Sequence, residues 1–379
     1  MRSFIPLLLL AACGAGGEAV ASDADSAAQR SGGRPFAVRP IATFDEPWAM
    51  AFLPGPGPRA LITEKRGRLK LLWSDSGRIG EVAGAPKVDY GGQGGFGDVV
   101  LHPGFPRNRL VYLSWVEAGQ GGNRGAVVGR ARFVEDGSRP RLEGLQVIWR
   151  QTPKLSGKGH YGHRIAFGPD GKLFVSNGDR QEFTPAQDMS GTLGKIVRLN
   201  DDGTVPADNP FASRGGATAQ IWSIGHRNPL GIAFDPSGRL WDIEMGPKGG
   251  DELNLVERGR NYGYPIVSNG DHYDGKDIPD HSTRPEFAAP KVSWTPVISP
   301  GDMIFYSGSA FPRWRGDILV AGLSSKALIR VDVQGTGARE AERFDMGKRI
   351  REVEQGPDGS VYLLEDGEGG RLLKLTPAR

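Results

Sequence analysis

The chain has 379 residues, with 47 Lys and Arg against 44 Asp and Glu for a formal net charge of +3, and one cysteine, Cys13. Charges this evenly scattered leave no basic tract for a nucleic acid, and a single cysteine excludes an intramolecular disulfide. Glycine is 57 of 379, about twice the usual ~7 per cent, and no long helical periodicity runs through the chain, so the class expected is a turn-dense all-β protein.

Residues 1–35 read as a separate segment. Met1, Arg2 and Ser3 make a short basic start, residues 4–12 form an apolar run, and Ala19, Val20 and Ala21 offer a small-residue cleavage site. The apolar run is too short to span a bilayer and reads as an export signal. Leu10, Ala11, Ala12 and Cys13 also resemble a bacterial lipoprotein signal, in which Cys13 carries the lipid. Residues 14–35, rich in Ala, Gly and Ser, would then be a flexible tether. The expectation is an exported, periplasmic protein of a Gram-negative bacterium, monomeric or homodimeric, with an optional lipid anchor.

From residue 36 to the end a β unit repeats. Segments 48–54, 98–103, 164–169, 230–236 and 353–357 are short apolar strands that end at a proline or its turn, and each is followed by a second strand at 60–63, 110–114, 172–176, 239–243 and 361–364. A more divergent sixth unit pairs 302–306 with 317–320. Pro-Asp-Gly at 169–171 and 357–359, and Pro-Ser-Gly at 236–238, supply tight turns between neighbouring strands. Third strands follow at 67–73, 194–199 and 370–375. Repeats spaced this way predict a six-bladed β-propeller of four-stranded antiparallel blades, formed by residues 36–379 as one domain.

Residues suited to chemistry hold one phase within the unit. His160 stands nine residues before Pro169, Arg227 nine before Pro236, Gln93 ten before Pro103, and Arg349 and Arg351 eight and six before Pro357. Successive strands of a blade are antiparallel, so the loop leading into the first strand and the loop between the second and third strands share one face. The first kind carries Gln93, His160, Arg227, Asn228, Arg349 and Arg351; the second includes 244–252 and 321–326. Both sets converge on a polar, mostly cationic channel mouth. His163 and His226 read as structural histidines, and Phe52, Phe167 and Phe234 as core.

The motifs at that mouth resemble a known family. Gly-Gln-Gly-Gly at 92–95, Gly159-His160 with Arg164 four residues on, Gly-His-Arg-Asn-Pro at 225–229, Gly-Pro-Lys-Gly-Gly-Asp-Glu at 246–252, Gly-Arg-Asn-Tyr-Gly-Tyr-Pro at 259–265 and Arg349-Ile350-Arg351 are similar, in order, to those of soluble aldose sugar dehydrogenases that use pyrroloquinoline quinone (PQQ). A generic propeller has no reason to carry them all.

The resemblance implies oxidation of the anomeric carbon of an aldose to the lactone, with hydride transfer to PQQ and onward passage of electrons to an acceptor. His160 matches the general base and Arg227 a residue that stabilises charge on the reduced quinone. Because the cofactor is a planar tricarboxylate, Arg227, Arg349 and Arg351 suit it as fork-shaped donors, with Gln93 and Asn228 adding neutral hydrogen bonds and Tyr273 and Gly322 lining the pocket. Backbone carbonyls of Gly246 and Pro247 are implied as ligands of a Ca2+ that binds the quinone, and Glu252 with the carbonyl of Tyr262 as ligands of a second, structural Ca2+.

Departures bear on the substrate more than on the reaction. Gly159 stands where the family often has an acidic residue before the histidine, and Ser324-Ser325-Lys326 stands where a lysine is expected directly after Gly322-Leu323. Loops around the mouth are short. Two other classes remain open on the residues alone: a calcium-dependent lactonase-type hydrolase, which would want carboxylates and an Asn converging in the channel where this chain puts cations, and a non-catalytic binding propeller, which leaves His160 and the arginines without a purpose.

Overall fold

The repeat appears in the computed structural model, which describes residues 34–137 and 139–378, as six four-stranded antiparallel sheets arranged as the blades of a propeller. Five blades use four consecutive strands each. In the sixth, the first strand of the chain, Phe36–Asp45 (β1), pairs antiparallel with the last, Glu368–Pro377 (β24), so the two ends of the described chain close the ring. The expected export signal, with Cys13 and the expected cleavage site at Ala21, lies outside the described residues.

Burial falls from the inner strands of each blade outward. The second strands Leu173–Asn177, Leu240–Glu244, Ile318–Gly322 and Val361–Glu365 are buried at every residue, including polar Asn177, Asp242, Glu244 and Glu365 at or near their ends toward the channel mouth. The outermost strand Gly337–Asp345 has no fully buried residue. The core therefore lies between blades. Trp241, Ile243, Leu253 and Leu255 of one blade pack with Met303, Ile318, Val320 and Ile329 of the next, and each fully buried aliphatic side chain contributes roughly 1.5–3 kcal/mol. Tight turns at the opposite end use the glycines read as turn formers: Gly171, Gly238 and Gly359 adopt φ of 74°, 81° and 77°, which only glycine does without strain.

One irregularity recurs in all six blades. Each first strand shifts register against its second strand just after it begins: between Pro47 and Ala49, Phe96 and Val99, Gly162 and Ile165, Pro229 and Gly231, Pro300 and Asp302, and Ile350 and Glu352. Such bulges bend a strand and re-aim its side chains. Here they lie at the channel mouth, directly after the positions of Gln93, His160, Arg227, Asn228 and Arg349.

Candidate active site

His160 is held from both sides. Its backbone N–H donates to the side-chain oxygen of Gln93 at 2.8 Å, which fixes a left-handed backbone with φ 46°. Its Nδ1 lies 2.7 Å from Oδ1 of Asp179, a carboxylate with no exposed surface. Asp179 also accepts N–H bonds from Gln181 at 2.9 Å and Phe183 at 3.3 Å, and its own N–H donates to the carbonyl of Arg227 at 2.8 Å. One buried carboxylate thus ties together the histidine, the loop after it and the next blade. With Nδ1–H directed at Asp179, Nε2 is the nitrogen left to accept a proton. Burial, reinforced by the Arg227 charge, lowers the His160 pKa below its ordinary value, against the opposing pull of Asp179.

His160 and Arg227 line one cavity of about 250 Å³ with Gln181, Phe183, Pro247 and Tyr273. The Arg227 guanidinium donates through Nη1 to the carbonyls of Met245 at 2.9 Å and Gly246 at 2.6 Å, while its buried Nε has no partner among the described residues. Its backbone N–H and that of Asn228 both donate to Oε2 of Glu244, at 2.6 and 3.2 Å, which pins the loop. The Arg227 guanidinium stands 6.0 Å from the centre of the Tyr273 ring, a residue 74% exposed on the rim.

A second cavity of about 280 Å³ holds Gln93, Asn228, Arg349 and Arg351, together with Lys65, Trp48 and His163. Arg349 and Arg351 do point the same way, and both are committed to one carboxylate: their Nε atoms donate to Asp366 at 2.8 and 2.9 Å. The Arg349 side chain is 48% exposed and that of Arg351 13%, so Arg351 is the better desolvated of the pair. Lys65 adds a third cation, with its pKa lowered mainly by burial. His163 stacks on Trp48 with ring centres 5.1 Å apart and makes a flat wall. Gln93 belongs to both compartments, since it lines this cavity while its side-chain oxygen holds His160.

The 244–252 loop is folded by carboxylates. Asp251 accepts N–H bonds from Gly246 at 2.8 Å, Ile298 at 2.8 Å and Ser299 at 2.6 Å, setting the Gly246 carbonyl where Arg227 meets it. Behind it, His226, Asp242 and Glu244 cluster out of solvent. Burial and the charges of Glu244 and Asp242 push Glu252 well above the usual carboxylate range. The His281 ring stands between the two ligands expected for a structural calcium: its Nε2 is 3.1 Å from the Tyr262 carbonyl and its Nδ1 3.8 Å from Oε1 of Glu252. Oδ1 of Asp242 and Oδ1 of Asn254 are buried without hydrogen-bond partners among the described residues.

The structure thus brings together Gln93, His160, Arg227, Asn228, Pro247, Tyr273, Arg349 and Arg351 on the walls of two adjoining cavities. Gly322 is buried in its strand and its neighbour Leu323 reaches the cavity instead, while Lys326 lines neither. Sequence reasoning missed Asp179, Lys65 and Asp366. All three sit in the loop between the second and third strands of their blades, the loop type that was expected to share the face, and that signal could have found them.

These features accord with the comparisons to known proteins. Residues 44–374 match the family model for glucose/sorbosone dehydrogenase, and the chain belongs to that family of enzymes. It is 40% identical over 340 residues to the aldose sugar dehydrogenase YliI of Escherichia coli K12, covering 88% of this chain and 90% of the relative. A crystal structure of a glucose dehydrogenase superposes with a TM-score of 0.85 at 42% identity, over 90% of this chain and all 100% of the other. The PQQ-bound aldose sugar dehydrogenase of Streptomyces coelicolor superposes with a TM-score of 0.74 at 29% identity, over 90% of this chain and 98% of the other.

Proposed function

We propose that this sugar dehydrogenase oxidises the anomeric carbon of aldoses to the lactone, with His160 as general base and PQQ as the hydride acceptor. The observation that carries the reading is the single construction of His160 on Asp179 and Gln93, facing Arg227 and adjoining a cationic cavity with a flat aromatic wall.

The residues present fit a planar tricarboxylate. Lys65, Arg349 and Arg351 offer charge around the second cavity, Gln93 and Asn228 offer amides, and the Nε of Arg227 is a buried donor awaiting an acceptor. When bound, PQQ supplies a two-electron acceptor for the hydride that leaves the sugar carbon. His160 takes the proton of the anomeric hydroxyl at Nε2. Asp179 holds the tautomer that leaves Nε2 free and stabilises the imidazolium once formed. Arg227 places a positive charge beside the site where negative charge develops, in surroundings that exclude water and so strengthen it.

Oxygen donors suit calcium at two places. The carbonyls of Gly246 and Pro247 would hold one ion beside the cofactor once the Arg227 guanidinium gives up its bond to Gly246, and Glu252 with the Tyr262 carbonyl would hold another once the His281 ring moves from between them. Three buried carboxylates, Asp242, Glu244 and Glu252, crowd around one cationic His226, and burial with their mutual repulsion holds Glu252 well above the usual carboxylate range; a divalent ion would relieve that repulsion, and the unpartnered oxygens of Asp242 and Asn254 point to the same need. We further read the N-terminal segment as an export signal to the periplasm, with Cys13 as the lipid-bearing residue; replacing Cys13 by Ser then releases the protein from the membrane fraction.

Adding PQQ and Ca2+ to the purified protein, then an aldose and an artificial dye as acceptor, tests the reading. A bound-quinone spectrum with aldose-dependent dye reduction supports it. Lactone hydrolysis without dye reduction would favour the hydrolase reading instead.

A further inference from the structure

The channel has a second end. On the face opposite His160, the far halves of the first strands and the turns that follow them, at Pro54, Pro103 and Pro357, enclose a cavity of about 760 Å³. That lies within the ~300–1,000 Å³ usual for a small-molecule site. Phe52, Leu101, Ile165, Phe234 and Phe305 make its walls apolar, and four carboxylates, Asp98, Asp302, Glu352 and Glu354, line the same space with Arg164 as the one Lys or Arg among them. The Arg164 guanidinium lies 4.1 Å over the ring of Trp48, which belongs to the cofactor cavity, so the two cavities meet at this pair and share no lining residue.

Part of this acidic lining serves the ring itself. Asp98 accepts the N–H of Ile165 at 2.8 Å, Asp302 that of Val353 at 3.3 Å and Glu352 that of Met50 at 3.1 Å, each bond tying one blade to the next. Arg164 is committed as well, donating to the carbonyls of Leu230 and Gly301 at 2.7 Å and to Asp98 at 3.4 Å. Acceptors are left over. Oε2 of Glu352 is buried and stands 2.7 Å from Nη1 of Arg164, yet it has no hydrogen-bond partner among the described residues. Glu354 accepts only the N–H of its neighbour Gln355, at 3.0 Å. Burial raises all four carboxyls above their ordinary range, Asp302 to about 7 and Glu354 to about 8. One guanidinium does not serve four carboxylates held out of water, and a further cation among them would let them ionise.

We infer that this cavity is a second ligand site, separate from the catalytic one, for a small organic cation: an ammonium head at Glu352 and Glu354 with a hydrocarbon body against the apolar walls. An ammonium suits the site better than a metal ion. The apolar side chains of the walls supply no oxygen ligands to complete a coordination shell, and no three of these carboxylates converge as metal ligands do, the only such group among the described residues being His226, Asp242 and Glu244.

Isothermal titration of the PQQ- and Ca2+-loaded protein with hexylammonium chloride tests it, with 1-hexanol as a neutral probe of the same shape. Hexylammonium is expected to bind about tenfold or more tighter than 1-hexanol, the margin for one charge-assisted contact out of water. Glu354→Gln keeps the shape of the side chain and removes its charge, so it should weaken hexylammonium by about fivefold or more and leave 1-hexanol unchanged. Glu354 makes no bond between blades, and a melting temperature near wild type checks that the variant is folded. Added Ca2+ should leave the bound amine in place. Equal affinity for the two probes in the wild type, or full hexylammonium affinity in folded Glu354→Gln, overturns the inference. Displacement of the amine by Ca2+ overturns the choice of an organic cation. Neither result touches the aldose reading, because no residue of the catalytic or cofactor cavities is altered.

Discussion

His160 and Asp179, 19 residues apart in the chain, meet at 2.7 Å between Nδ1 and Oδ1 in a setting where the carboxylate has no solvent contact. This pair is the hinge of the chemistry, because it decides which imidazole nitrogen is free and holds the neighbouring loop in place.

Asp179→Asn should therefore cost far more than a lost hydrogen bond. The amide can donate to Nδ1 and stabilise the wrong tautomer, so kcat is expected to fall on the order of 10²-fold or more, while quinone binding, which draws on other residues, stays near wild type. Single-turnover rates with an absorbance titration of the cofactor separate the two quantities.

The pH profile follows from burial at His160. Its pKa is lowered from the ordinary 6.5 chiefly by burial, so the base stays neutral and competent below pH 6.5, and the acidic limb of kcat/KM should lie below that value. Moving Arg227's charge away works in the same sense as raising the pKa: Arg227→Gln should shift the limb upward, alongside its loss of rate.

Cofactor affinity should rank the two arginines on Asp366. Arg351 is largely desolvated and Arg349 half exposed. Arg351→Ala is expected to weaken PQQ binding by roughly 2–5 kcal/mol, the range for leaving a buried charged partner unpaired, and Arg349→Ala by less because water screens it. Equilibrium titration of both variants checks the order.

His163 gives a stability prediction with a definite sign. Ser114 Oγ accepts the N–H of Asp98 and so turns its hydroxyl proton toward Nδ1 of His163 at 2.7 Å, and full burial lowers the histidine pKa to about 3. Between pH 6.5 and about 3 the unfolded chain takes a proton there that the folded chain refuses, so this residue's contribution falls as pH drops, by at most ~1.4 kcal/mol per pH unit. Asp302 and Glu354, pushed up to about 7 and about 8 by burial, act in the opposite sense. Denaturant unfolding of wild type and His163→Gln across this window isolates the term: the stability advantage of wild type over the variant should shrink toward acid.

Much of the fold was legible because its signals are local. The apolar second strands, the Pro-Asp-Gly turns and the constant phase of Gln93, His160, Arg227 and Arg349 come from residues close in sequence, and the ring follows from repeating them. What stayed hidden depends on contacts between distant parts. Nothing local marks Phe36–Asp45 as the partner of Glu368–Pro377, since that pairing closes a circle through the chain ends. Asp179 was missed for a different reason: it follows Leu173–Asn177, which pairs with the strand that His160 leads into, so the hairpin register of one blade puts it behind His160, but no motif singles out that carboxylate. Gly322 was carried over from a motif whose following lysine is displaced here, and the structure puts Leu323 at the cavity in its place.

The measurement that bears most directly on the account is the comparison of His160→Ala with wild type, both loaded with PQQ and Ca2+, in cofactor binding and in aldose oxidation. The account predicts a quinone dissociation constant within a few-fold of wild type and a loss of 10²- to 10⁴-fold in kcat, the usual span for removing a general base. Aldose oxidation at the wild-type rate would contradict it.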